Sequence, residues 1–293
     1  MPRRRRLRAQ LAVKASAGTP CRYSPVVEVE SLGWRSDLMV RTLAGSLVMH
    51  APDHVVVRTV GRSDFYWGNF ILIPAGPGER DAAAWLTVFA GEFPLAQHIA
   101  IGIDGKGLPS TARPDFAAQG LAAEVNCVLT ASSLVDAVEL ERGVEIRPIA
   151  GDGDWALVLE LRLAVAREEG LDSAAHGSFL EGAVREESVL CGRRLGLYFG
   201  VFRDGSLLSS LGVVVAPDGV ARFQNVETRP GYRRQGLAGW LVRHAAAHAI
   251  RHLGARLLVI VADPEGPAIG LYRRLGFTEA ETQLQMVRVP SPA

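Results

Sequence analysis

Hydrophobic and polar positions alternate between two periods along this chain, and the alternation divides it into two similar runs of elements. In the first run, Val26 to Glu30 reads as a short strand and Trp34 to Leu47 as a helix. His54 to Thr59 (HVVVRT) and Phe65 to Ile73 (FYWGNFILI) are strand-like, separated by the turn residues Gly61 to Asp64. After the break at Pro74 to Gly78, apolar positions Ala84, Trp85, Val88 and Phe89 take helical spacing within Arg80 to Phe93. An apolar strand from Gln97 to Ile103, a short helix ending at Gly120 and a strand from Ala123 to Leu129 complete the run.

The second run begins near Val144. Glu145 to Ile149 predicts a strand, Asp152 to Glu169 and Ser178 to Arg193 two helices, and Leu197 to Arg203 with Leu207 to Val215 an antiparallel pair about Asp204-Gly205. Val220 to Thr228 is a strand, Leu237 to Leu253 a helix, Arg256 to Val261 a strand, Pro267 to Leu275 a helix and Thr282 to Val289 a strand. The two runs echo each other at a fixed offset: Asn69 with Asn225, Pro74 with Pro230, Leu86 with Val242, Gly120 with Gly276. The order strand, proline turn, helix, strand, short helix, strand is common to both. The pattern predicts a degenerate internal duplication.

A length of 293 residues suits two domains, and apolar residues at 48% suffice for two cores. A net charge of +1 offers nothing to nucleic acid or an anionic membrane surface. Cys21, Cys127 and Cys191 are odd in number and widely spaced, which argues against a disulfide framework or a metal cluster and for a reducing cytoplasm. No apolar run approaches the roughly 18 residues of a membrane helix. The basic start, with Arg3 to Arg6, lacks an apolar core after it and reads as a disordered tail over residues 1–24 rather than a signal peptide.

Candidate chemistry concentrates in Tyr232 to Trp240, YRRQGLAGW. A strand feeding a glycine turn that opens a helix leaves backbone N–H groups pointing one way, at the positive end of the helix dipole. Arg233, Gly236 and Ala238 stand there at the spacing R-x-x-G-x-A. Other clusters have plainer readings. His244, His248 and His252 recur every four residues, but they border the apolar stripe Leu237, Leu241, Ala245, Ala249 and read as a boundary face, not a metal site. Phe65, Tyr66 and Trp67 read as strand core. Asp152 and Asp154 suit dipole compensation at a helix start, whereas Glu168, Glu169 and Asp172 have no assigned role.

The second run resembles the GNAT superfamily of acetyl-CoA-dependent N-acetyltransferases over about Val144 to Val289. The resemblance rests on R-x-x-G-x-A at Arg233, Gly236 and Ala238, on V-x-T-x-P from Val226 to Pro230, and on Ala268-Ile-Gly-Leu-Tyr-Arg-Arg-Leu-Gly-Phe277. The element order agrees as well. It implies an α/β fold with a mixed sheet, as tandem GNAT-like domains at 25–140 and 144–293, the first degenerate. It also implies acetyl-CoA as co-substrate, with Val226, Glu227 and Thr228 along the pantetheine and one N–H, that of Thr228, on the acetyl carbonyl. The backbone of Arg233, Arg234, Gln235, Gly236, Leu237, Ala238 and Gly239 takes the pyrophosphate. Tyr272 falls where the family places the acid that protonates the leaving thiolate, and no metal is implied.

Two departures matter. Glu265 occupies a slot where the family often has Asn. Gln224 occupies the slot of a strand glutamate that serves some members as base, and by alternation Glu227 is expected to face the other side of the sheet. The base is left open between a water chain and an amine already partly deprotonated. In the first run Arg80 replaces Gly236, Pro77 replaces Arg233 and Phe116 replaces Tyr272, so that half is expected to bind no coenzyme A and to wall the acceptor site. The expected function is acetyl transfer to a primary amine, a small molecule first, by a cytoplasmic monomer or homodimer. A non-catalytic acyl-CoA sensor, or acetylation of a protein lysine or N-terminus, is the alternative.

Overall fold

A computed structural model describes residues 27–76, 80–134, 143–171 and 173–289. The expected tail, Pro77 and Asp172 lie outside them. The described chain forms α1 (Leu32–Ala44), β1 (Leu47–His50), β2 (Val55–Arg58), β3 (Asn69–Pro74), α2 (Ala82–Glu92), β4 (Ile99–Asp104), α3 (Pro114–Ala118) and β5 (Ala122–Ala131). There follow β6 (Glu145–Pro148), α4 (Gly151–Glu168), α5 (Ala174–Gly192), β7 (Leu197–Arg203), β8 (Ser206–Val215) and β9 (Val220–Thr228). The last elements are α6 (Leu237–Leu253), β10 (Leu257–Ala262), α7 (Ile269–Leu275) and β11 (Thr278–Arg288).

The element order α2, β4, α3, β5 of the first half recurs as α6, β10, α7, β11 in the second. All strands join one mixed sheet in the order β1-β2-β3-β4-β11-β5-β10-β9-β8-β7-β6. The two sequence halves therefore do not form separate sheets. The last strand of each lies beside the other: β11 pairs antiparallel with β4 and with β5, and β5 pairs antiparallel with β10.

Side-chain alternation along β7 explains how this sheet is covered. Phe199 and Val201 pack on one face with Leu237, Leu241 and Ala245 of α6, while Tyr198 and Phe202 pack on the other with Trp155, Val158 and Leu161 of α4. On that second side α1, from the first half, crosses onto strands of the second. Gly33 makes this approach possible, because a Cβ there would stand 2.8 Å from Gln283 Oε1 of β11. Trp34 is fully buried and its Nε1–H donates to Ile103 O at 3.0 Å. Emptying that site to alanine would cost about 3–5 kcal/mol.

Three local expectations need correction. Val27 to Glu30 form no strand; the Glu30 and Ser31 amides are instead taken by the Asp104 carboxylate (2.7 and 3.0 Å). The first helix stops at Ala44 because Gly45 adopts φ 99° and its amide turns back to Arg41 and Thr42, which frees Leu47 for β1. Tyr66 to Gly68 form a 3₁₀ turn, so Phe65, Tyr66 and Trp67 are half-buried rather than strand core.

Candidate active site

The two halves differ most where a parallel strand pair meets a helix N-terminus. In the first half β3 and β4 stay paired to their last residues, Pro74 opposite Asp104, and Ala75 N–H closes the end on Asp104 O at 2.8 Å. In the second half β9 and β10 pair only at Val220–Leu257, Ala221–Leu258 and Arg222–Val259. Beyond Arg222, β9 leaves with β8 while β10 continues along β5 to Ala262. A wedge opens between β9 and β10.

The β9 backbone presents unused groups to this wedge. Arg229 N–H donates to Leu208 O at 2.8 Å, and Thr228 lies opposite Ser209. Antiparallel alternation then turns the N–H groups of Thr228 and Val226 away from β8, toward the gap. The Thr228 hydroxyl is held against Ser209 Oγ at 3.0 Å.

At the mouth of the wedge, Arg234 (φ 66°) and Gly236 (φ 81°) are both left-handed. Gly236 is the N-cap of α6 and brings no side chain. The first intrahelical bond is Trp240 N–H to Gly236 O, so the amides of Leu237, Ala238 and Gly239 precede it without a helical acceptor. The loop from Gly231 to Gly236 is exposed apart from half-buried Tyr232. Arg233 folds back: its Nη1 pairs with Glu168 Oε2 at 2.5 Å and its Nε donates to Thr228 O at 3.3 Å. Gln235 likewise bonds Gly231 O. These side chains brace the loop and leave its amides outward. The equivalent donors of α2 are taken: Asp81 Oδ1 accepts from Ala84 N–H and Asp115 Oδ2 from Ala82 N–H, both at 2.9 Å. Arg80 pairs with Asp53 and lies over the Trp85 ring.

Tyr272 on α7 is buried among Leu275, Phe277 and the α6 residues. Burial pushes its hydroxyl up to about 12, so it holds its proton at neutral pH. Phe116 is its counterpart on α3, fully buried. Glu265 sits in an exposed turn, its N–H on Asp263 Oδ1.

A cavity of about 450 Å³ reaches the wedge from the α1 and α5 side, bounded on either hand by Glu227 of β9 and Val261 of β10. Both halves line it, the first through Asp37, Arg41, Phe65 and Trp67. Here alternation fails as a guide. Asn225 takes φ 48°, and the β8–β9 register slips from Gly212–Gln224 to Ser210–Glu227. This one-residue bulge puts Gln224 and Glu227 on the same face, and both line the cavity. The expectation that Glu227 faces away is thus corrected. Asn in mid-strand, a residue that tolerates the left-handed region, was the available signal.

Glu227 joins a network that periodicity did not expose. Arg162 of α4 donates through Nε to Glu227 Oε2 (3.0 Å) and through Nη1 to Glu187 Oε1 (3.0 Å). Asn225 Nδ2 also donates to Glu187 Oε1, at 2.7 Å. Burial is the largest influence on Glu227 and pushes its carboxyl up, with Arg162 opposing. Burial opposes the Arg162 charge too, but Glu187 and Glu227 outweigh it and raise its pKa. Tyr198, buried against Glu187, is pushed well above its usual value.

The remaining clusters are structural. His244 and His248 lie edge-on to Phe199, and among the described residues no group of three or more His, Cys, Asp or Glu is placed to hold a metal. Asp154 pairs with Arg147 and accepts from Ala150 N–H at the start of α4. No helix among the described residues is long and apolar enough to cross a membrane.

Comparison with known proteins agrees with this geometry. The family model described as Acetyltransferase (GNAT) family matches residues 165–277. A streptothricin acetyltransferase from Streptomyces lavendulae is 38% identical over 55 residues, 19% of this chain and 29% of that protein, so the match spans under a third of the relative's length. Among solved structures, a GCN5-related N-acetyltransferase from Kribbella flavida shares the fold with TM-score 0.59 and 17% identity, over 89% of this chain and 97% of that one. A tandem GNAT protein from the clavulanic acid biosynthesis pathway matches with TM-score 0.52 and 16% identity, over 85% and 84%. The chain thus has a tandem GNAT-like fold, and residues 165–277 within it match the acetyltransferase (GNAT) family model.

Proposed function

We propose that the C-terminal half transfers an acetyl group from acetyl-CoA to a primary amine of a small molecule, in the wedge between β9 and β10. The observation that carries this reading is the junction of three features in one half only. The parallel pair opens after Arg222, the N-terminus of α6 keeps free amides beside the opening, and a carboxylate-lined cavity meets it from the other side. Acetyl-CoA supplies an activated thioester. The amides of Leu237, Ala238 and Gly239, with the bent Arg233–Gly236 backbone, suit a pyrophosphate, an anion at a helix N-terminus. The outward N–H groups of Val226 and Thr228 suit an extended amide chain, and that of Thr228 is a fixed donor for a carbonyl oxygen gaining negative charge.

Proton handling falls to half-buried Glu227 and buried Tyr272. Glu227 takes a proton from the incoming ammonium, which its raised pKa favours without removing its charge partner Arg162. Tyr272 gives a proton to the departing sulfur, for which its retained hydroxyl hydrogen suits it. The first half binds no coenzyme A, because β3–β4 is closed and Asp81 and Asp115 already sit on the α2 amides. Its contribution is the α1 wall of the acceptor cavity. A cavity of about 450 Å³ favours a small acceptor over a protein tail.

The test is release of free coenzyme A thiol against a panel of small amines, with the acetylated product identified by mass. Amine-dependent thiol release with an N-acetyl product supports the reading. Tight acetyl-CoA binding without turnover on any amine would replace it with a non-catalytic acyl-CoA sensor.

A further inference from the structure

The acceptor cavity has two poles of opposite charge. At the wedge, one guanidinium, Arg162, faces two carboxylates, Glu187 and Glu227. At the α1 end, two guanidinia, Arg41 and Arg222, face one carboxylate, Asp37, which stands 4.0 Å from Arg222 Nη2. Arg222 is 7% exposed and donates from Nη1 to Ser36 Oγ (2.8 Å) and Gly33 O (3.4 Å), while its buried Nε has no acceptor. Arg41 rests over the Phe65 ring, and its buried Nε also lacks an acceptor. Burial lowers the Arg222 pKa, Asp37 opposes this, and the neighbouring Arg41 charge adds to it. Two guanidinia that face one carboxylate across a cavity are stabilised by one more anion.

We propose that the acceptor carries a carboxylate as well as the reacting amine, the carboxylate bound at Arg41 and Arg222 and the amine at Glu227. Arg222 and Glu227 lie opposite Val214 and Ser210, four positions apart on β8, so about 13 Å separates them along the sheet at ~3.3 Å per residue, and the two groups of the ligand are separated by a chain rather than borne on one carbon. An ω-amino acid or the side-chain amine of a diamino acid fits this spacing. The proposal rests on the amine-acetyltransferase reading for the identity of the reacting end.

The experiment uses the full chain saturated with coenzyme A. Calorimetric binding, and separately kcat/KM, are measured for 6-aminohexanoate, 6-aminohexanamide, hexylamine and 1,6-diaminohexane. A charge-assisted pair predicts that the carboxylate binds about tenfold to a hundredfold more tightly than its amide. Arg41→Gln brings that ratio to about one, and Arg41→Lys restores part of it. Equal binding of acid and amide, preference for the diamine, no binding of the acid, or a ratio untouched by Arg41→Gln overturns the proposal. Carboxylate-selective, Arg41-dependent binding without turnover supports the proposal and contradicts only the reading of the wedge as an amine acetyltransferase.

Discussion

Glu227 Oε2 accepts from Arg162 Nε at 3.0 Å, inside a cavity that Glu227 enters only because β9 is bulged at Asn225. In the proposed reaction this relationship makes Glu227 the base. Glu227→Gln keeps an acceptor for Arg162 but cannot take a proton. The expected result is a fall in kcat of about a hundredfold or more, with acetyl-CoA affinity little changed. In the parent protein kcat/KM should rise with pH as Glu227 ionises, and burial places that limb above the ordinary carboxylate range. Thiol-release rates across pH, for both proteins, check the limb and its loss.

Tyr272→Phe removes the hydroxyl that burial holds protonated up to about 12. Turnover should drop while acetyl-CoA binding persists, and an acetyl thioester donor with a better thiolate leaving group should recover part of the rate. Undiminished turnover at every pH would remove Tyr272 from the chemistry.

Gly236→Ala tests the turn. At φ 81° a Cβ costs about 1–2 kcal/mol, and the space around it is otherwise open. Acetyl-CoA affinity measured by calorimetry should weaken about five- to thirtyfold, with thermal unfolding displaced by only a few degrees.

Asp115 offers a pH test of the closed half. The Arg113 guanidinium, by direct hydrogen bonding, is the largest influence and holds its carboxyl below the usual range, with the Ala82 amide adding to it. A depressed carboxylate contributes stability above its unfolded pKa and loses it as pH falls through the folded value. Chemical unfolding of the parent should therefore become easier across and below the ordinary aspartate range, and Asp115→Asn should flatten that dependence.

Much of this architecture could be read from residue patterns. Val220 to Thr228 and Leu237 to Leu253 were bounded correctly because a nine-residue strand ends at Arg229-Pro230 and a strongly amphipathic helix ends at Gly254. The left-handed turn at the start of α6 followed from Gly236 and its neighbours. The acceptor side was not legible, since Arg162, Glu187 and Tyr198 come together only when α4, α5 and β7 pack. Glu227 was assigned the wrong face because periodicity presumes an unbroken strand, and one residue in the left-handed region reverses the count. The exchange of β5 and β11 between halves was also hidden, as both strands have the same alternation and either partner satisfies it.

The stoichiometry of acetyl-CoA on the full chain tests the central claim most directly. Calorimetric titration should give one site per chain, weakened by Gly236→Ala and indifferent to Asp81→Ala. Two sites per chain, or one site that survives Gly236→Ala unchanged, would contradict the assignment of the open wedge as the site of acetyl transfer.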